Sequence, residues 1–232
     1  MKNLSFYEQA GVVLPGALFL FGAMFYIPEL KDVFAKDGVS IGGLGIFVII
    51  SYACGQLLAA VGNMVEKVLW SPQGGMPSNW IVGSNPRLLS AEQISKVHSL
   101  VQSRLGLACP VPANLKAKTW IPIFRQIYSD VEKHGKPARG EMFNGMYGLN
   151  RGLCAAALAL IVVALVQSPP QWKVAIGLVA VSTAYLYRAH RFGVHCAREV
   201  YNQFLLLPAH NANSNPKNPA SLTEPASKLS PG

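Results

Sequence analysis

Apolar residues fall in four long runs along this chain, and the polar positions between and within them set the elements it predicts. No formal charge occurs between Glu8 and Glu29. Residues 9–28 can form about 30 Å of helix, the thickness of a bilayer's hydrocarbon core. Ser5 and Glu8 stand in the S-x-x-E arrangement of a capping box, which predicts a first membrane helix over 6–28 that starts near Phe6. Pro15, two turns in, is placed to kink it. A second charge-free run covers 38–65; its "GVSIGGLG" opening reads as loop, leaving a span over 43–65. The third run, "GLCAAALALIVVALVQ" at 152–167, and the fourth, "WKVAIGLVAVSTAYLYR" at 172–188, are separated by "SPP". Each makes roughly 24 Å of helix. Lys173 and Arg188 can snorkel from the ends, and Trp172, Tyr185 and Tyr187 suit the interfaces. The pattern predicts a helical hairpin, which either crosses fully, giving four spans, or enters and leaves on one side.

Between and after these runs the period becomes amphipathic. Residues 71–90 are rich in Gly, Pro, Ser and Asn and read as loop, with Trp70 and Trp80 as anchors at the membrane surface. Ser90 is placed to cap a helix whose apolar face carries Ile94, Val97, Leu100, Val101 and Leu105. Pro110 and Pro112 break the chain, and a second amphipathic helix is expected from about 121 to 134, ending at Gly135. Residues 71–137 thus form a cytoplasmic helical region. From residue 138 no stop signal precedes the third span, so 138–167 reads as one long helix, with Gly145, Gly148 and Gly152 suited to close helix approach. The last span likewise runs on as an amphipathic extension to give one element over 172–207, with Phe192, Cys196, Val200, Gln203 and Leu207 on one side. Residues 208–232 lack apolar periodicity and read as a disordered tail. The expected fold is an all-α integral membrane protein: four transmembrane helices with a small cytoplasmic helical collar.

Composition agrees. Hydrophobic residues make up 51% of the chain and charged ones only 13%, roughly half a soluble domain's share. Mean hydropathy is +0.29. The net charge of +9 would suggest nucleic acid in a soluble protein; here it points first to the distribution of Lys and Arg around spans. With the N-terminus inside, 17 of the 20 basic residues fall on the cytoplasmic side and 3, Lys31, Lys36 and Lys173, outside. That asymmetry predicts cytoplasmic N- and C-termini. The N-terminal run has no small-x-small cleavage site after it and is expected to be a retained helix. Cys54, Cys109, Cys154 and Cys196 form no CxxC pair and are expected to be reduced.

No strong catalytic constellation is present. "GGLG" at 42–45 does not match a dinucleotide loop, and a P-loop and a nucleophile elbow are absent from the sequence. His190, His195 and Cys196 are spaced by five and six, which does not place them on one helix face as ligands at i and i+4 would be. The expectation is a protein that is not an enzyme, with no cofactor and no metal.

Two polar features remain. In "SYACGQLLAAVGNMVEKVLW" at 51–70, Tyr52, Gln56, Asn63 and Glu66 fall at i, i+4, i+11 and i+14, on one helix face. Beside them runs a stripe of small residues, Ser51, Gly55, Ala59 and Gly62. Either the polar line makes interhelical hydrogen bonds that hold a bundle, or it lines a water-filled path built from several copies of the chain. Arg151, at the inner end of the third run, is a candidate partner for Glu66 and a candidate gate. The second feature is basic: Lys116, Lys118, Arg125, Lys136 and Arg139 lie close together in the cytoplasmic region. They are expected to contact anionic membrane lipid, or to bind an anionic nucleotide or oligonucleotide or a soluble cytoplasmic partner protein.

The "LPGALFLFGAMF" span, the "GQLLAAVGNMVEKVLW" end of the second span, "FNGMYGLNRGL" before the third and "CAREVYNQFL" near the end form a layout that resembles small membrane effectors of bacterial anti-phage defence, the membrane components of Kiwa-type and Hailong-type systems. The resemblance is one of architecture over residues 6–207. It implies a homo-oligomeric effector of the bacterial inner membrane, a gated pore or membrane-perturbing protein controlled by a cytoplasmic signal. The alternative is a membrane scaffold that docks a soluble partner through its basic region.

Overall fold

The computed structural model describes residues 6–35, 41–83, 85–108 and 115–208, and among these every regular element is helical. In chain order they are α1 (Phe6–Ala23), α2 (Pro28–Ala35), α3 (Ile41–Trp70), two 3-10 turns (Ser71–Gln73 and Pro77–Asn79), α4 (Ala91–Leu105), α5 (Ala117–His134), α6 (Ala138–Val166) and α7 (Trp172–Leu206). The proposed tail from 209 onward and Cys109, Pro110 and Pro112 lie outside the described residues.

Two tiers share the long helices. In the apolar tier, α6 is central and contacts α1, α3 and α7. Its buried face is built from small side chains, Cys154, Ala155, Ala156, Ala157 and Ala164. The close approaches fix the directions. Gly152 of α6 faces Pro15 and Gly11 of α1, and Gly22 faces Leu160, so α1 and α6 run parallel. Gly16 meets Ser51 and Gly55 meets Val12, so α1 and α3 run antiparallel. Arg188 of α7 bonds Asn150 of α6, while the turn at its other end is closed by the Gln171 amide donating to Ala164 O at 3.0 Å. The four apolar segments therefore alternate in direction. In the second tier α4 and α5 wrap the C-terminal half of α7, with a core of Val97, Val101, Trp120, Ile127, Tyr201 and Phe204.

The run from Gly42 to Asn79, which is α3 continued through the two 3-10 turns, and α6 are each long and apolar enough to cross a membrane. The first expected span is shorter than the sequence suggested. α1 ends at Ala23, where the Tyr26 and Ile27 amides both donate to Ala23 O at 2.9 Å and tighten the last turn. Pro28 then starts a new helix, as its missing N–H and fixed φ favour. α3 is longer than expected: "GGLG" is helical, because an apolar segment has only its own backbone to satisfy its polar groups. α5 starts at Ala117 and not 121, since the fully buried Trp120 draws the preceding turn into the helix. Ser90 caps α4 through a full capping box with Gln93, as the sequence indicates.

Candidate functional site

The α3 stripe divides at Glu66. At 100° per residue, Glu66 lies roughly 40–80° round the helix from Tyr52, Gln56 and Asn63, toward the small residues. That rotation turns it inward. Tyr52, Gln56 and Asn63 are exposed, and none of them hydrogen-bonds any described residue. Their neighbours Ser51, Gly55, Leu58 and Gly62 are buried. The small stripe is thus a packing surface: a Cβ on Gly16 would lie 1.8 Å from Ser51 O, and one on Gly55 would lie 2.0 Å from Val12 O.

Glu66 and Arg151 meet at the base of the bundle. Arg151 Nη1 donates to Glu66 Oε2 in an ion pair whose side chains are 22% and 26% exposed. The Tyr147 hydroxyl donates to the same oxygen at 2.8 Å, and Trp70 Nε1 donates to the Tyr147 hydroxyl at 3.0 Å. Tyr147 and Arg151 stand at i and i+4, so one face of α6 presents both to one carboxylate. The stem of Arg151 lies over Gly62, 3.3 Å from where a Cβ would sit.

The network continues into α7. Trp70 is buried rather than lying on a surface, because Gly193 leaves a notch that its ring fills; a Cβ there would come within 2.8 Å of Cζ2. The Trp70 ring stacks on His190 at 5.0 Å between centroids, and His190 Nε2 donates to Gln73 Oε1 at 2.9 Å. Trp80 meets Trp70 edge-on at 5.8 Å and carries the Arg87 guanidinium 3.9 Å above its ring. Burial and the nearby Arg87 both push the His190 imidazole below its ordinary range, so it stacks as a neutral ring at pH 7.

Beside the ion pair a cleft of about 240 Å³ opens between Gly11 and Val12 of α1, Gly55 and Ala59 of α3, and Gly148 and Arg151 of α6. Gly145, Gly148 and Gly152 all line the cleft; Gly148 has open space where its side chain would be, whereas Gly152 is also pressed against Pro15 of α1.

Four of the basic residues lie on or beside α5, and the fifth is at the start of α6. Lys116, Lys118, Arg125 and Lys136 are all exposed; Arg139 lines a separate cavity on the α6–α7 seam without them. The nearby carboxylate of Asp130 is held instead by Arg104 of α4, at 2.5 Å and 3.2 Å. Sequence reasoning passed over Trp70, Tyr147 and Asn150 as site residues. The i, i+4 pairing of Tyr147 with Arg151 was the available signal. Among the described residues Cys54, Cys154 and Cys196 are free, and no group of three His, Cys, Asp or Glu side chains could hold a metal. Burial pushes the Cys196 thiol up to about 11.

The chain matches no protein-family model, no curated protein and no solved structure.

Proposed function

We propose that this protein is a homo-oligomeric effector of the bacterial inner membrane, with its polar α3 faces lining a gated path. In this reading α1, α3, α6 and the first half of α7 cross the bilayer, and both termini and the α4–α5 collar are cytoplasmic. Their alternating directions support it, as does the concentration of Lys and Arg at one end. The observation that carries the proposal is the exposure of Tyr52, Gln56 and Asn63. Polar groups at bilayer depth face protein or water, and one chain supplies no partner for these three among its described residues. Further copies of the chain supply both a partner and a water-filled interior. The Glu66–Arg151 pair inside each chain fixes the rotation of α3, and a signal received by the collar reaches it through α7 and Trp70. A role in anti-phage defence is what the resemblance of its sequence layout to such effectors suggests.

The test is ion flux from liposomes containing the purified protein. Arg151→Ala frees Glu66 and is expected to raise flux above wild type. Gln56→Leu with Asn63→Leu added to it is expected to abolish that flux while insertion is preserved. Unchanged flux in the triple variant contradicts the pore face and leaves the scaffold reading.

A further inference from the structure

On the α6–α7 seam a cavity of about 300 Å³ is lined by Arg139, Phe143, Arg188, Arg191, Phe192 and His195. The cations are arranged around the two rings. Arg139 lies 5.7 Å from the Phe143 centroid and Arg188 lies 5.5 Å from that of Phe192. The rings are 6.3 Å apart, and His195 is 5.7 Å from Phe143. Arg188 Nε donates to Asn150 Oδ1 at 3.2 Å, and Asn150 is itself buried and anchored to Met146 O at 2.7 Å. A fixed, buried amide therefore aims one guanidinium.

No carboxylate among the described residues forms an ion pair with Arg139, Arg188 or Arg191. Arg104 and His134 pair with Asp130, and Arg151 with Glu66, all away from this cavity. Arg191 makes no hydrogen bond to any described residue. The acids of the same two helices, Glu141 and Glu199, line a different cavity with Glu132. Three guanidinium groups placed together without a counter-charge repel one another, and an anion that accepts their forked donors relieves this.

The height of the cavity along the bundle selects the anion. Arg188 follows Tyr187 directly, and Val179, Val181 and Tyr187 are exposed on the apolar half of α7 just before it. An acyl chain lying on that apolar surface would bring its phosphate to Arg188 and Arg191, with the glycerol region against the two rings. We infer that this cavity binds the phosphate head group of an anionic phospholipid of the cytoplasmic leaflet. The inference rests on the membrane reading above and goes beyond it by naming a seat for one lipid.

The experiment is native mass spectrometry of the full chain in mild detergent, titrated separately with phosphatidylglycerol, phosphatidylcholine and soluble glycerophosphoglycerol. One retained phosphatidylglycerol per chain is expected. Arg188→Gln with Arg191→Gln weakens it by about tenfold or more, the loss expected for charged hydrogen bonds. Arg191→Gln alone lowers it in the same direction and removes no contact within the chain. Arg198→Gln, exposed on α7 outside the cavity, leaves it unchanged. Equal retention by the Arg188/Arg191 variant, or equal retention of phosphatidylcholine, overturns the inference. Soluble head group bound as tightly as lipid overturns the lipid as the source of the phosphate. A chain that stays folded and monodisperse without detergent overturns the membrane reading as well; a chain that needs detergent but retains no anionic lipid overturns this inference alone.

Discussion

Arg151 of α6 and Tyr147, one turn before it, donate to the same oxygen of Glu66 on α3. Three polar side chains thus close the base of a contact that, higher up, packs Leu58 against Ala155 and Ala156. Because the pair is only about a quarter exposed, each charge depends on the other for its solvation.

That dependence gives an asymmetric outcome. Arg151→Met leaves Glu66 half-buried without its cation and is expected to cost about 2–4 kcal/mol, near the lower part of the range for broken buried pairs. Adding Glu66→Gln should recover most of the loss, since no uncompensated charge remains. Thermal unfolding in mild detergent checks both. Equal melting of the single and double variants would show that the pair is not coupled.

The α1–α3 crossing is set by the two glycines that face backbone. Gly16→Ala places a methyl group 1.8 Å from Ser51 O, so the helices must separate. A large loss of folded yield is expected, and the same for Gly55→Ala. Gly45→Ala, with nothing within 4 Å of the new atom, should be neutral or stabilise by up to about 1 kcal/mol through helix propensity. Ser51 Oγ is buried without a hydrogen-bond partner, so Ser51→Ala should be neutral or stabilising. Detergent-extracted yield and melting temperature read all four.

The collar should respond to acid through Asp130. Burial pushes its carboxyl up, but the bonds and charges of Arg104 and His134 outweigh burial and hold it below the ordinary carboxylate range. A lowered native value means that its stabilisation is fully present above about pH 4, near the unfolded value. It is lost as pH falls through the lower native value. Asp130→Asn should cost about 2–3 kcal/mol at pH 7 and flatten the decline below pH 4. Chemical denaturation followed between pH 7 and pH 3 distinguishes the two proteins.

Trp120 is the keystone of the same tier. Fully buried, it donates through Nε1 to the Tyr201 hydroxyl at 2.8 Å and to Ser78 O at 3.1 Å. Trp120→Ala should cost about 3–5 kcal/mol. Tyr201→Phe should cost about 1–2 kcal/mol by leaving an indole donor with one fewer acceptor. Limited proteolysis should then cut α4 and α5 while α6 and the apolar tier survive; uniform digestion of the whole chain would contradict a separate collar core.

Periodicity revealed the long helices because each has a continuous apolar or amphipathic face with few competing signals. Ser90, Gly135 and the uninterrupted helix from 138 into the apolar run were legible for that reason. Local chemistry was less complete where tertiary contact decided. Trp70 looks like a surface anchor until Gly193, 123 positions away, supplies the notch that buries it. The Glu66 partner was legible as a charge at matching depth, but its sharing with Tyr147 depends on how α3 is rotated against α6. Lys116, Lys118 and Arg125 are exposed, while Arg139 lines a cavity with Arg188 and Arg191, about fifty residues on, a neighbourhood that only the packing of α6 on α7 creates.

The central claim is that the unpartnered polar face of α3 is completed by other copies of the chain. Native mass spectrometry of the intact protein, extracted in mild detergent, tests it most directly. A single closed oligomer of four or more copies, broken by Gln56→Leu with Asn63→Leu, is the predicted result. A chain that stays monomeric there and in lipid nanodiscs would contradict it.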